Sequence, residues 1–86
     1  MINRKKLSKK LSTKHINVEL ETYNFEFYKC KLMVKNDCFW IEKEIYIPQN
    51  WYYKWMVEEI NKVKKDFDLN WFNGNEKWFN KFIVRG

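Results

Sequence analysis

Six basic side chains near the start of the chain have the residue type and spacing for binding an anion. The first fourteen positions hold no acid, and their basic residues are Arg4, Lys5, Lys6, Lys9, Lys10 and Lys14. The other eleven Lys and Arg residues are balanced by eleven Asp and Glu residues, so this segment accounts for the net charge of +6. Clustered cationic side chains bind phosphates and release counterions from nucleic acid. The segment therefore predicts contacts with RNA or DNA.

One histidine and two cysteines are the side chains that catalysis or zinc binding would use. In the strand pairing predicted from the sequence, His15 and Cys38 share a face but lie two strands apart, while Cys30 points into the core. A Cys–His dyad requires hydrogen-bond reach, a disulfide requires nearby Cα atoms, and zinc requires a tetrahedral ligand set. The only glycines are Gly74 and Gly86, so no glycine-rich phosphate loop exists. We expect a non-catalytic protein with reduced thiols and no metal or cofactor.

A predicted hairpin forms the centre of the fold. A two-residue turn at 36–37 sets Val34 opposite Phe39 and leaves one face of the hairpin almost wholly apolar. On the other face the same register sets Lys31 opposite Glu42, a favourable cross-strand pair. Pattern and charge therefore favour one register.

The strand before this hairpin joins it through a predicted three-residue loop. With residues 23–25 as the loop and Asn24 in a left-handed conformation, Leu20 lies beside Tyr28. Lys29 then lies between glutamates of both neighbouring strands. The glutamates of this face are Glu19, Glu21, Glu42 and Glu44. Because lysines separate them, we expect a solvated charge ladder and not an acid/base or metal cluster.

Pro48 suits the first turn of a helix, and apolar residues then recur at three- and four-residue steps. This predicts one long helix that ends near Asp68 and lays its stripe on the apolar sheet face. The stripe comprises Tyr52, Trp55, Met56, Ile60, Val63 and Phe67.

The C-terminal segment allows two interpretations. Asn75 is a suitable N-cap for a short helix, whereas Asn73 and Gly74 suit a hairpin turn. Residues 78–83 do not alternate apolar with polar, which favours the short helix.

The N-terminal segment is predicted to be flexible. Leu7 and Leu11 make only a narrow apolar stripe, and cationic residues such as Lys5 near a helix N-terminus oppose the helix dipole. The predicted organisation is therefore a basic arm, residues 1–14, and one α+β domain, residues 15–86. That domain is a three-stranded antiparallel β-meander packed on one long helix, with a short C-terminal helix.

Aromatic residues make up 20% of the chain, which exceeds what the predicted core requires. Several fall on the charged sheet face, at the helix start or in the C-terminal segment, where they are candidates for a protein interface. They are Phe27, Trp40, Tyr46, Trp51, Trp71 and Trp78.

Two functions follow from these features. The first is a small non-catalytic binding protein whose partner contains RNA or DNA and is held by the basic arm. The alternative is an inhibitor of a host protein, such as an anti-CRISPR protein of a phage or mobile element, that binds through exposed aromatic residues. An amino-acid bias toward Lys, Asn and Ile indicates an AT-rich genome, which together with the small size supports the alternative. No apolar run predicts a membrane span or signal peptide, so we expect a cytoplasmic, intracellular protein.

Overall fold

A computed structural model describes residues 3–85 as an antiparallel sheet of four strands with two α-helices. The sheet order is β1-β2-β3-β4, and a single turn of 3-10 helix, Glu76–Trp78, precedes β4. Residues 1, 2 and 86 of the predicted arm and domain lie outside the described residues. The elements are α1 (Arg4–Leu11), β1 (Asn17–Thr22), β2 (Phe27–Lys35), β3 (Phe39–Pro48), α2 (Tyr53–Phe72) and β4 (Lys81–Val84).

The predicted α+β class is confirmed, and the core lies between one sheet face and the helices. Helix α2 buries the predicted positions Met56, Ile60, Val63 and Phe67 against that face. Tyr52 and Trp55 were expected in the same stripe, but they are 71% and 51% exposed. Tyr52 lies before the first turn of α2, and its ring packs edge-to-face on Trp55 at 4.9 Å, outside the core.

Both predicted hairpin registers are wrong by two residues, although each residue keeps its predicted face. Val34 pairs with Ile41 instead of Phe39, and Leu20 pairs with Cys30 instead of Tyr28. The cause is the geometry of the loops. Asn36 Oδ1 accepts hydrogen bonds from the backbone N–H groups two and three residues later, at 2.7 and 3.0 Å.

The loop before β2 is built in the same way. Asn24 Oδ1 accepts from the N–H groups of Glu26 and Phe27, each at 2.8 Å. These asparagine turns move the centre of each loop one residue along the chain, which shifts each register by two residues, and they need no left-handed residue. Among residues 3–85 the only positive φ is that of Gly74.

Helix α2 starts later and ends later than expected. Pro48 closes β3 and is not part of the helix, and α2 continues one turn beyond Asp68 to Phe72. Gly74, at φ 66°, reverses the chain after the helix, and the Asn75 N–H donates to the Asn70 carbonyl at 2.9 Å. Glycine suits this position because it adopts the left-handed conformation without a steric cost.

The predicted short C-terminal helix is limited to the single 3-10 turn that follows Asn75, and its extension over residues 79–83 is wrong. Residues 81–84 form β4, which pairs antiparallel with residues 39–42 of β3. Phe82 faces the helices and packs beside Phe79, at 5.4 Å between ring centroids, whereas Ile83 lies on the open sheet face. Alternation is absent from the sequence because both faces of this strand carry apolar residues. Pairing with the free edge of β3 determines the conformation.

The prediction of a flexible N-terminal arm differs most from the structure. Leu7 and Leu11 of α1 are only 3% and 4% exposed and belong to the core. Asn3 Oδ1 caps the helix by accepting from the Lys6 N–H at 3.0 Å. At the other end, Lys64 Nζ of α2 donates to the Leu11 carbonyl at 2.9 Å, where a cation also favours the helix dipole. These interactions outweigh the unfavourable charges in the first turn.

Helix α1 also covers the outer edge of β1. The Leu20 N–H donates to Ser8 Oγ at 2.8 Å, and the Val18 N–H donates to Ser12 Oγ at 2.9 Å. Both amides point away from β2 and would otherwise be exposed at a sheet edge. Because uncovered edges invite pairing with other chains, α1 protects the sheet as well as completing its core.

We predict that Leu11→Ala lowers the free energy of unfolding by about 2–5 kcal/mol, the cost of emptying a buried leucine site. The control is Lys9→Ala in the same helix, where an exposed side chain should matter by less than about 0.5 kcal/mol. Urea unfolding of both variants measures the difference. A flexible segment would instead make the two substitutions equally harmless.

Candidate nucleic-acid interface

Helix α1 carries most of the predicted phosphate-binding residues on a fixed surface. Lys5, Lys6 and Lys9 are exposed, and Lys10 Nζ lies 5.9 Å from the Tyr53 ring centroid. Arg4 is partly engaged within the fold, because its guanidinium donates to Thr22 Oγ1 at 2.7 Å. Lys14 lies exposed in the loop after α1. Five of the six predicted residues therefore belong to α1, and the sixth lies in the loop that follows it.

The fold adds lysines that the sequence analysis did not select. Lys64 and Lys65 of α2 line a cleft together with Thr13 and His15 of the loop after α1. Lys35, at the end of β2, lines a second cleft that also contains Lys14 and His15. These residues, Lys14, His15, Lys35, Lys64 and Lys65, are called the basic end. These residues come from parts of the sequence that are far apart, so their clustering was not predicted. The one available signal is that Lys64 directly follows Val63, which was predicted to face the core.

A cavity of about 290 Å³ lies between the two clefts of the basic end. Its walls come from β2, β3 and α2, and His15 and Asp68 are its polar lining residues. The apolar walls are formed by Val34, Phe39, Ile41, Phe67 and Trp71. A partly enclosed apolar space beside cationic side chains is suited to a small apolar or aromatic group attached to an anion.

Two of the predicted protein-interface residues, Trp40 and Trp78, make cation–π contacts with lysines. The Trp40 ring has Lys35 Nζ at 4.1 Å and Lys81 Nζ at 3.8 Å from its centroid. Its indole Nε1 is buried and has no hydrogen-bond partner within residues 3–85. Lys43 Nζ lies 4.5 Å from the Trp78 ring centroid and donates to the Trp78 carbonyl at 2.8 Å. Trp40 and Trp78 are both only partly exposed.

The other predicted aromatic residues are distributed over the molecule. Trp71 packs on Phe39 at 5.2 Å in the cavity wall. Phe27 and Trp51 are half-buried, whereas Tyr46 is exposed. Phe27, Tyr46 and Trp51 thus lie at the end of the sheet where β1 ends and β2 begins, opposite the basic end.

Exposed aromatic rings concentrate at that opposite end, which is called the aromatic end. Tyr23 packs edge-to-face on Tyr46 at 4.8 Å, and Trp51 lies 6.4 Å from Trp55. Tyr52 and Trp55 were assigned to the core by helical spacing, and Phe25 belongs to a loop, so the sequence analysis missed them. The aromatic end comprises the exposed residues Tyr23, Phe25, Tyr46, Tyr52 and Trp55 and the half-buried Trp51.

The glutamates alternate with lysines across the open sheet face, in a register shifted from the predicted one. Lys31 is paired with Glu19 and Glu44, the position predicted for Lys29. Lys29 Nζ instead lies 3.9 Å from Glu21 Oε1. Glu42 is only 5% exposed, between Met33 and Lys81. Within residues 3–85 no group of three His, Cys, Asp or Glu side chains is arranged to hold a metal ion.

The two thiols occupy different environments. Cys30 is fully buried on the helix face of β2, and burial raises the pKa of its thiol to about 12. Cys38 is exposed in the loop between β2 and β3. Both are free cysteines.

Among the described residues, neither helix has the length and apolar character of a membrane span. No known protein family, curated protein or solved structure matches the chain.

We predict that one thiol reacts rapidly with a thiol reagent in the folded protein and that two react after denaturation. Folded Cys30 keeps its proton at pH values where the unfolded thiol, with a pKa of 9.0, loses it. The stability linked to Cys30 is therefore present below pH 9.0 and declines as the pH rises toward about 12. Cys38→Ser should abolish the rapid reaction, and a persisting rapid reaction in that variant would contradict a buried Cys30.

Proposed function

We propose that this protein is a non-catalytic nucleic-acid-binding protein that contacts phosphates of an RNA- or DNA-containing partner through α1 and the adjoining lysines. The observation that carries the proposal is the acid-free surface of α1, with Lys5, Lys6 and Lys9 exposed on a helix whose leucines are buried. Lys14, Lys64 and Lys65 extend the same charge toward the basic end.

A folded helix is a better phosphate-binding element than a flexible arm in one respect. Its backbone is already ordered, so binding loses less conformational entropy. Eight residues of α-helix span about 12 Å, comparable to three successive phosphates along one strand of duplex. Contacts of this kind set position and affinity and carry no direct information about base sequence.

The open sheet face is a poor alternative for phosphate. Glu19, Glu21 and Glu44 alternate there with Lys29 and Lys31, so attraction and repulsion largely cancel. This supports α1 and the basic end as the contact surface, with the sheet as the scaffold that holds them.

Two charge-matched double variants test the proposal. Lys5→Gln with Lys9→Gln should weaken binding to RNA and duplex DNA, and should reduce the slope of log K against log salt by about 0.7–0.9 per lost contact. Lys29→Gln with Lys31→Gln removes the same charge from the sheet face and should leave the slope unchanged. The measurement is fluorescence anisotropy over a salt series.

Equal losses in the two double variants would show that only net charge matters and would refute a specific surface. Point substitutions are preferable to deletion of residues 1–14, since deletion also removes Leu7 and Leu11 from the core.

The aromatic end supports a second candidate function, a protein-binding inhibitor or accessory factor of the kind that phages and mobile elements encode. Tyr52 and Trp55 form an exposed edge-to-face pair, and Tyr46 with Tyr23 forms another at the same end. Exposed aromatic rings are the side chains most enriched in interface hot spots.

For this second function we predict that Tyr52→Ala with Trp55→Ala abolishes capture of a protein partner in nuclease-treated host extract. The matched control is Phe72→Ala, which removes a ring that is 88% exposed at the C-terminal end of α2. Urea unfolding checks that both variants remain folded. Capture that survives in the double variant, or that is lost after nuclease treatment, counts against the aromatic end.

A further inference from the structure

The cavity at the basic end combines three properties that the phosphate-binding surface alone does not require. It is partly enclosed, it is walled by aromatic and aliphatic side chains, and it shares lining residues with two clefts that contain lysines. The volume of about 290 Å³ lies at the lower limit for ligand pockets and suits one ring system. A fitting ligand therefore has a small, flat, largely apolar ring and negatively charged groups on either side of that ring.

An unpaired nucleotide has this chemistry. We propose that the cavity receives one unstacked base of a single-stranded nucleic acid while the neighbouring phosphates lie in the two lysine-containing clefts. The inference rests on the proposed nucleic-acid binding and adds the preferred form of the ligand.

The aromatic walls are suited to a base. Phe39 and Trp71 lie 5.2 Å apart between centroids, and Trp71 also contacts Phe82 at 5.6 Å, so the indole is braced on two sides. Trp71 remains 39% exposed, which leaves part of its ring available for stacking. Stacking on an aromatic side chain is sequence-tolerant because every base has a π-face.

His15 and Asp68 provide polar groups at the same cavity. The imidazole nitrogens can donate to or accept from the edge of an inserted base, and the carboxylate oxygens can accept from its N–H groups. An edge exposed by loss of base pairing is the feature that single-strand-binding proteins read.

Charge distinguishes this occupant from an apolar side chain of a protein. The cleft on one side of His15 contains Lys14 and Lys35, and the cleft on the other side contains Lys64 and Lys65. Asp68 is the only acid lining any of these three spaces. A strand passing His15 therefore meets cations both before and after the inserted base.

A base held in a duplex cannot enter the cavity without leaving its stack. The inference thus predicts tighter binding to single strands than to duplex, whereas phosphate contacts alone predict no such preference. The probes are a single strand of about 15 thymidines and a DNA duplex of the same length, a size that covers one small binding site.

The main variant fills the cavity without changing charge. Val34→Phe should weaken single-strand binding about 5- to 100-fold, the loss expected for one stacked base. Its affinity for duplex and the salt slope for both probes should not change. The control is Ile83→Phe, which adds a ring to the exposed open face away from the cavity.

A second variant removes a wall of the cavity instead of filling it. Trp71→Leu should reduce single-strand affinity within the same range and leave duplex affinity unchanged; urea unfolding verifies that each variant is folded. Equal wild-type affinity for the two probes, or single-strand affinity that survives both cavity variants, overturns the inference while α1 still binds phosphate. Absence of wild-type binding to either probe overturns the proposed function as well.

Discussion

The docking of α1 on the edge of β1 is the interaction on which the rest of the structure depends. The helix supplies Leu7 and Leu11 to the core, and the hydroxyls of Ser8 and Ser12 accept from two edge amides of β1. Its C-terminal carbonyl at Leu11 is bound by Lys64 of α2, which ties the helix to the other helix as well as to the sheet. A chain of 86 residues has little core to spare, so such a segment is structural even though its surface is basic.

The fold gives a chain with charges balanced outside its first fourteen residues two unlike ends. Folding brings Lys14, Lys35 and Lys64 together from three elements, and it collects Tyr46 and Trp55 at the opposite end of the sheet. Charge counted along the sequence and charge arranged in space therefore give different descriptions. The basic end and the aromatic end are therefore separate surfaces for the two proposed kinds of partner.

The predictable parts of the fold were those determined by side-chain periodicity. Alternation placed Leu20 and Cys30 on the core face, and helical spacing identified Met56 and Ile60 as buried. Periodicity predicts these positions because it depends only on which face of an element is buried. Strand register was not predictable from alternation, since a shift of two residues preserves the faces and only the asparagine turns fix the loop lengths. The burial of Leu7 was not predicted, because the residues that pack against it belong to elements distant in the sequence. The cavity and the basic end were not predicted either, because each is formed by residues from several elements.

The two hairpin loops have a consequence for the kind of gene that can encode this fold. Tight turns often rely on glycine, yet these loops are closed by the amide oxygens of Asn24 and Asn36, and neither requires a left-handed backbone. A gene that drifts toward adenine and thymine loses glycine codons and gains asparagine codons. Turn chemistry of this kind withstands that drift, because the two loops do not depend on glycine.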